Sequence, residues 1–355
     1  MTLKYEQIAA THGQAQAARI LGITRSKLQR ILRNEKAGKP TPPTDHLVRD
    51  FRTDTPAREN VVEFPRLPEK HQPIETIIKR LCEDVDRRHK RELAEKWFSI
   101  KVNDPKPIGI LWFGDPHLGT SANWPQLMKD VKHCTTVKGL YGANLGDTTN
   151  NWAGRLVREY AEEDISKKTE RRLAKWFLAD AGIPWLVWLM GNHDEWESGS
   201  DILRLMNIGN KVTMLNWSAK FELHFPGKQK VRVHAAHDFP GHSMWNITHA
   251  PARATRMTGT DADLLICGHR HDWGIQQFEM AERGQCPVAI RARGYKRHDF
   301  WAKTKGFQES TYGASILTII DPGASPSGRV LAFADTDQGV RVLKALRAGK
   351  VRKAA

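Results

Sequence analysis

Five short apolar runs each end, within a residue or two, on a cluster of Asp, Asn and His, and this pattern narrows the folds open to the chain. Ile108–Phe113 runs into Gly114-Asp115-Pro116-His117, and Leu140–Leu145 into Gly146-Asp147-Thr148-Thr149-Asn150. Trp185–Leu189 leads through Met190 to Gly191-Asn192-His193-Asp194. Val231–Ala236 ends at His237-Asp238, and Leu264–Cys267 at Gly268-His269-Arg270-His271. Runs of this length, bounded by glycine and polar residues, predict strands. Polar, helix-compatible segments separate them, and Ile316–Ile320 predicts a further strand. This rhythm belongs to an α/β domain, placed here at residues 107–340.

Open α/β sheets build their sites just past the carboxyl ends of strands, where all five clusters fall. One Asp-x-His alone would mean little; five in sequence order point to a metal site. Asp, Asn and His without cysteine suit Mn²⁺, Fe or Zn²⁺ in a reactive centre better than a structural zinc. The four cysteines (Cys82, Cys134, Cys267 and Cys286) lie far apart without a Cys-x-x-Cys pair, so neither a disulfide framework nor a cysteine zinc site is expected. A reducing cytoplasm fits that usage.

The order Asp-x-His, Gly-Asp, Gly-Asn-His-Asp, Gly-His-x-His resembles the calcineurin-like metallophosphoesterase superfamily over about residues 107–335. The resemblance implies a double β-sandwich flanked by helices and a site for two divalent ions, Mn²⁺ in the first place, with Fe or Zn²⁺ as alternatives. It assigns Asp115, His117 and His271 to one ion, Asp147 to a bridge, and Asn192, His237 and His269 to the other. It makes His193 the general acid, oriented by Asp194, for in-line attack by an activated hydroxide. Asn150 is a candidate contact to substrate phosphate or a turn-stabilising side chain. In the fourth motif His234 competes with His237 for the ligand role. His237 is preferred because it closes the strand, and His242 and His249 are expected to be ordinary loop residues. Trp152, Trp196 and Trp273 follow metal motifs closely and are expected to wall those loops, with base stacking as the alternative.

The 355 residues carry 55 Lys and Arg against 40 Asp and Glu, a net +15. Residues 1–40 hold eight basic residues and two acidic ones, a net +6. Within them, Ala18 and Leu21 face inward from one helix, Gly22 makes a turn, and Thr24 caps a second helix carrying Leu28 and Ile31. The segment (1–38) resembles the helix-turn-helix of Fis and of enhancer-binding activators. That resemblance implies DNA contact through Arg25, Lys27, Gln29 and Arg30. Seven of the chain's eighteen prolines follow, up to Pro73, so residues 39–73 read as an extended linker. Residues 74–100 read as an amphipathic helix, expected to pack on the next domain, with a dimerising coiled coil as the alternative. The longest apolar run, Ile183 to Met190, is far below a membrane span, and no signal peptide is expected at the N-terminus.

Between Arg283 and Lys305, Arg291, Arg293, Lys296, Arg297 and Lys303 interleave with Tyr295, Phe300 and Trp301, a pattern suited to a phosphate backbone or to an ordinary solvated face. Together these features give a metal-dependent phosphodiesterase, a DNA nuclease similar to phage- and prophage-encoded metallophosphoesterases, as the leading function. It is only distantly similar to the repair nucleases of the superfamily, since no capping domain is evident after residue 335. The alternatives are a phosphatase acting on nucleotides or phosphoproteins, and a DNA-binding regulator with a structural phosphoesterase domain.

Overall fold

The computed structural model describes residues 5–40, 72–94, 97–119, 121–207, 212–257, 261–297 and 315–349. Most of the expected linker, and Phe300, Trp301 and Lys303, lie outside the described residues. The chain divides into two compact units, Met1–Ile78 and Lys79–Ala355.

Among the described residues, the first unit opens with the helices α1 (Tyr5–His12), α2 (Gln14–Ile20) and α3 (Arg25–Lys36). Tyr5, Ala17, Ala18, Leu21, Leu28 and Ile31 form its core. Gly22 turns the chain between α2 and α3 at φ +61°, where a side chain would be strained. The Thr24 side chain accepts from the Lys27 amide at 3.3 Å and so caps α3. Leu28 and Ile31 face the core, which leaves Arg25, Lys27, Gln29 and Arg30 exposed. Helix α1 was not expected from the sequence; it supplies Tyr5 to the core.

Helix α4 spans Ile74–Ala94. Its apolar stripe is exposed, with Ile74 at 65%, Ile78 and Leu81 at 54% and Val85 at 63%. Trp97, at the far end of the expected stripe, packs partly buried against the cluster of Ala236, Phe239, Leu265 and Cys267. No described helix is long and apolar enough to cross a membrane.

Among the described residues, twelve strands of the second unit form two six-stranded sheets. In chain order they are β1 (Phe98–Lys101), β2 (Ile108–Phe113), β3 (Leu140–Asn144), β4 (Trp185–Met190), β5 (Met214–Asn216), β6 (Ser218–His224), β7 (Lys230–Ala236), β8 (Leu264–Cys267), β9 (Gly274–Gln277), β10 (Val288–Arg291), β11 (Ile316–Ile320) and β12 (Val330–Phe333). One sheet has the order β12-β11-β2-β3-β4-β5, parallel from β2 to β5. The other has the order β1-β6-β7-β8-β10-β9, with β7, β8 and β10 parallel.

The sheets pack face to face. Ile108, Ile110, Trp112, Val187 and Leu189 meet Phe221, Leu223, Val233, Ile266 and Ile290 between them. Period-2 alternation sends Leu111, Phe113, Trp188, Leu317 and Ile319 to the opposite face of the first sheet. There they bury against residues of α5 (Trp124–Thr136), α6 (Lys167–Lys175) with its continuation Trp176–Asp180, the helix Gly199–Met206, and the C-terminal helix Thr336–Arg347. Ala250 and Ala254 of the helix His249–Met257 cover Leu265 and Cys267 on the outer face of the second sheet. The result is a mixed α/β sandwich of two sheets flanked by helices. Strands buried on both faces have little room for polar residues, which explains the near-continuous apolar runs.

Candidate metal centre

The strands that carry the five clusters end at one rim of the sandwich, and backbone bonds continue the pairing into the loops. The His117 amide donates to the Asp147 carbonyl at 2.9 Å, and the Gly268 amide to the His237 carbonyl at 2.9 Å. In these loops Asp115 (φ 42°), His117 (42°), Asp147 (50°), His269 (73°) and His271 (60°) all adopt left-handed backbone. Non-glycine residues rarely do so, and such strain persists where surrounding structure enforces it. Gly191 has a different constraint. A Cβ there would stand 2.6 Å from the Asp147 amide nitrogen and 2.7 Å from His237, so only glycine lets β3, β4 and β7 bring their ends this close.

The ligand atoms of Asp115, His117 and His271 lie within 4.8 Å of one another, as do those of Asp147, His237 and His269. Asn192 Oδ1 is 3.0 Å from His237 Nε2 and joins the second group. Asp147 Oδ2 stands 3.8 Å from His117 Nε2 and 3.4 Å from His237 Nε2, between the two groups. The structure thus brings together all seven residues expected as ligands.

The donor set fits cations. His237 Nδ1 donates to the Leu145 carbonyl at 2.8 Å, which turns the Nε2 lone pair toward Asn192 Oδ1, Asp147 Oδ2 and His269 Nδ1, the last at 3.0 Å. Acceptors that converge this closely need positive charge among them. Asp115 is fully buried and its Oδ1 has no hydrogen-bond partner. Burial pushes its carboxyl up to about 7. Without a cation, and against the cost of its own burial, the Asp147 and Asp115 carboxylates raise His237 to about 10, so a proton on Nε2 then stands where the acceptors call for positive charge and a bound cation would replace it. Burial, then the charge of Lys296, holds His117 well below its usual range and His271 at about 3, so both present neutral imidazole lone pairs.

His193 lies against this assembly, its ring 4.8 Å from that of His117 and flanked by Trp152 at 5.3 Å and Trp196 at 4.1 Å. Its Nδ1 is 2.5 Å from the Asn150 carbonyl oxygen, so Nδ1–H donates there and Nε2 is left to exchange a proton. The expected orienting role of Asp194 is corrected by this geometry. Asp194 accepts from the Thr148 and Gly191 amides at 2.9 and 3.0 Å, and so ties the ends of β3 and β4 together. The backbone of Asn150 orients His193 instead.

Asn150 is also placed differently from a phosphate contact. Its side chain is fully buried, with Oδ1 3.0 Å from His117 Nδ1 and Nδ2 donating to Glu163 at 2.6 Å. It positions a metal-ligand candidate from behind. His234 is buried on β7 against Phe239 and stays outside the clusters, whereas His237 is inside them. His242 is exposed on the loop beyond.

The basic run that begins at the end of β10 opens on two buried residues. Arg291 and Arg293 are 2% exposed and cannot face a phosphate backbone. Arg291 pairs with Asp238 at 3.0 Å, and Arg293 stacks on the Trp273 ring at 4.5 Å. Trp152 and Trp196 wall His193, as expected of packing aromatics. Trp217, on the crossing from β5 to β6, had no such signal because no ligand motif adjoins it. Its ring packs edge-on to His237 at 5.1 Å, and its carbonyl accepts the His237 amide at 2.6 Å.

No family profile and no curated protein matches the chain. Among solved structures it is similar to the calcineurin-like phosphoesterase YfkN from Bacillus subtilis, at 13% identity over 68% of this chain and 99% of that one, with a TM-score of 0.29. It is also similar to a metallophosphoesterase from Sphaerobacter thermophilus, at 15% identity over 67% and 95% of the two chains, with a TM-score of 0.32. A third is GAP50, the anchor in the inner membrane complex of Plasmodium, at 10% identity over 68% and 95%, with a TM-score of 0.36. At overlaps this low, none of these likenesses bears on the chemistry of the site.

Proposed function

We propose that the protein is a metal-dependent phosphodiesterase that cleaves DNA. One observation carries the reaction class: Asp115, His117, His271, Asp147, Asn192, His237 and His269 meet as two oxygen-and-imidazole groups about a shared carboxylate, beside a histidine that keeps one ring nitrogen free. Divalent ions held there, Mn²⁺ by the match of hard carboxylate and amide oxygens with imidazole, would polarise phosphoryl oxygens and lower the pKa of water. His193 supplies its Nε2 proton to the ester oxygen as the bond from that oxygen to phosphorus breaks. The two tryptophans that flank its ring fix the direction of that proton and limit water around it.

The first unit supports DNA as the substrate. A short capped helix with Arg25, Lys27, Gln29 and Arg30 on its exposed side suits entry into the major groove. The test is turnover by the purified chain with a series of divalent metals on single-stranded DNA, double-stranded DNA, an aryl phosphodiester and an aryl phosphomonoester. The expected result is metal-dependent cleavage of DNA and the diester. Turnover of the monoester alone would replace this reading with a phosphatase.

A further inference from the structure

The loop from Asp238 to Thr248 leaves the ligand candidate His237 and enters the helix His249–Met257. Buried Arg291 ties it to the next ligand-bearing loop. Its Nε donates to the Ile247 carbonyl at 3.2 Å, and its Nη1 to Asp238 at 3.0 Å and to the Gly268 carbonyl at 2.8 Å. Ile247 and Gly268, which precedes His269, therefore meet around one guanidinium.

Beside Ile247 opens a cavity of about 410 Å³. Asn246 lines it from the loop, Arg253, Arg256 and Met257 from the helix, and Gln276 and Phe278 from β9 and the residue beyond it. The helix turns Ala250 and Ala254 to the sheet, while Arg253 and Arg256, three residues apart, share the face toward the cavity. Both guanidiniums are held in place. Arg253 Nη1 donates to the Pro240 carbonyl at 3.3 Å, and Arg256 lies over the Phe278 ring at 5.2 Å. Among the described residues neither arginine pairs with a carboxylate, and the described lining holds no acidic side chain. Asn246 Oδ1 already accepts from the Thr248 amide at 3.1 Å and hydroxyl at 2.8 Å, so its Nδ2 is the group left to donate. The cavity thus offers positive charge and hydrogen-bond donors beside apolar Met257 and Phe278. Next to Asn246, Met244 and Trp245 stand out from the loop, Trp245 93% exposed. An exposed indole beside a basic cavity suits stacking on an unpaired base.

We propose that this cavity and Trp245 bind a single-stranded stretch of the DNA whose phosphodiester lies at the metal centre. The inference rests on the phosphoester reading above and names the form of the substrate. Arg253 and Arg256 take backbone phosphates, and Trp245 stacks on a base. A base inside a duplex keeps to its own stack and offers the indole no face, whereas every unpaired base does. An acidic peptide would satisfy the arginines but gives the indole no ring to stack on.

The test uses the full chain, Trp245→Ala and the double variant Arg253→Gln/Arg256→Gln, with a single-stranded and a duplex oligonucleotide. Affinity is measured by fluorescence anisotropy at several salt concentrations without divalent metal, so that the strand stays intact, beside melting temperature. Trp245→Ala is expected to weaken single-strand binding about tenfold. The double variant is expected to flatten the slope of log affinity against log salt by about 1.4, at roughly 0.7 per phosphate contact. Both changes should be much smaller on the duplex, with melting temperatures at the wild-type value. Unchanged single-strand affinity and slope would overturn the inference. So would equal losses on the duplex, which would mark a general basic surface, or a parallel fall in melting temperature, which would mark packing groups. Equally tight binding of poly-glutamate, lost in the double variant, would assign the arginines to an acidic partner instead. If the wild-type chain binds the single strand through these residues yet hydrolyses no phosphoester, the strand site stands and the proposed function falls. If it cleaves DNA while the variants bind as the wild type does, only the strand site falls.

Discussion

Asp115, His117, Asp147, His269 and His271 hold left-handed backbone that costs on the order of 1–3 kcal/mol per residue, and cations in the site would recover that cost as they bind. Around these candidate ligands the proposed proton donor and the residues that position the ligands are different side chains. His193→Ala removes the proposed proton donor and none of the seven residues assigned as ligands, although His193 also lies within ligand reach of His117 and Asp147. It should lower kcat by about 10²–10⁴ with bound metal near the wild-type level. Asn150→Ala removes the oxygen behind His117 Nδ1 and should instead weaken metal affinity by about 10–100-fold. Metal titrations beside turnover separate the two; equal metal loss in His193→Ala would sink its role as acid. His234 gives a stability prediction. Burial holds it at about 3 against an ordinary 6.5, so the unfolded chain binds the extra proton between these values. Stability from His234 is therefore present above about pH 6.5 and lost as pH falls toward 3. His234→Phe, beside Phe239, should flatten the fall in melting temperature between about pH 7 and about pH 5. An unchanged acid limb would assign that fall to other groups. The ligands were legible because metal chemistry restricts residue type. The role of Asn150 was not, because it depends on Glu163 and on a fold that brings His117 alongside.

Among the elements, β2, β3, β4, β7, β8 and β11 could be read from the sequence because both their faces are buried. Each appears as a run whose end differs by at most one residue from the observed strand. The edge strands β1, β5, β9 and β12 are short and partly exposed, so little apolar periodicity marks them. β6 buries alternate residues, and its Lys220, Glu222 and His224 interrupt any run. Helix α4 shows the converse: its 3.6-residue periodicity predicted the helix, but periodicity does not name a packing partner, and Ile74, Ile78, Leu81 and Val85 are exposed. What the strand ends do together is a property of several elements, and Gly191 tests it. Gly191→Ala places a methyl group against the Asp147 amide and His237, both on backbone that the neighbouring strands fix. It should cost about 1–3 kcal/mol by overpacking and weaken metal binding along with it. Thermal melts with and without Mn²⁺ would measure both. A variant that melts and binds metal as the wild type does would show that β3, β4 and β7 are not held rigidly at that rim.

At the scale of the whole chain, the net +15 has two distinguishable parts. Residues 1–40 carry +6 on a unit with its own core, and the stretch after it is rich in proline. The second unit carries the proposed phosphoester chemistry on strand ends that involve none of those residues. In the proposed arrangement, a tether between the units would raise the local concentration of a substrate held by one unit and cut by the other, without tight binding at the metal centre. Removing residues 1–40 should therefore separate affinity from chemistry. The slope of log affinity against log salt falls by roughly 0.9 for each phosphate neutralised. Loss of Arg25, Lys27 and Arg30 should thus flatten that slope by about two to three, while turnover of a small aryl diester stays at the wild-type level. Binding isotherms on duplex DNA at several salt concentrations, beside diester kinetics, measure both halves. An unchanged slope would mean that the first unit contacts something other than DNA. A matching loss of diester turnover would mean that it contributes to the catalytic unit directly, and the tethered arrangement would then be wrong.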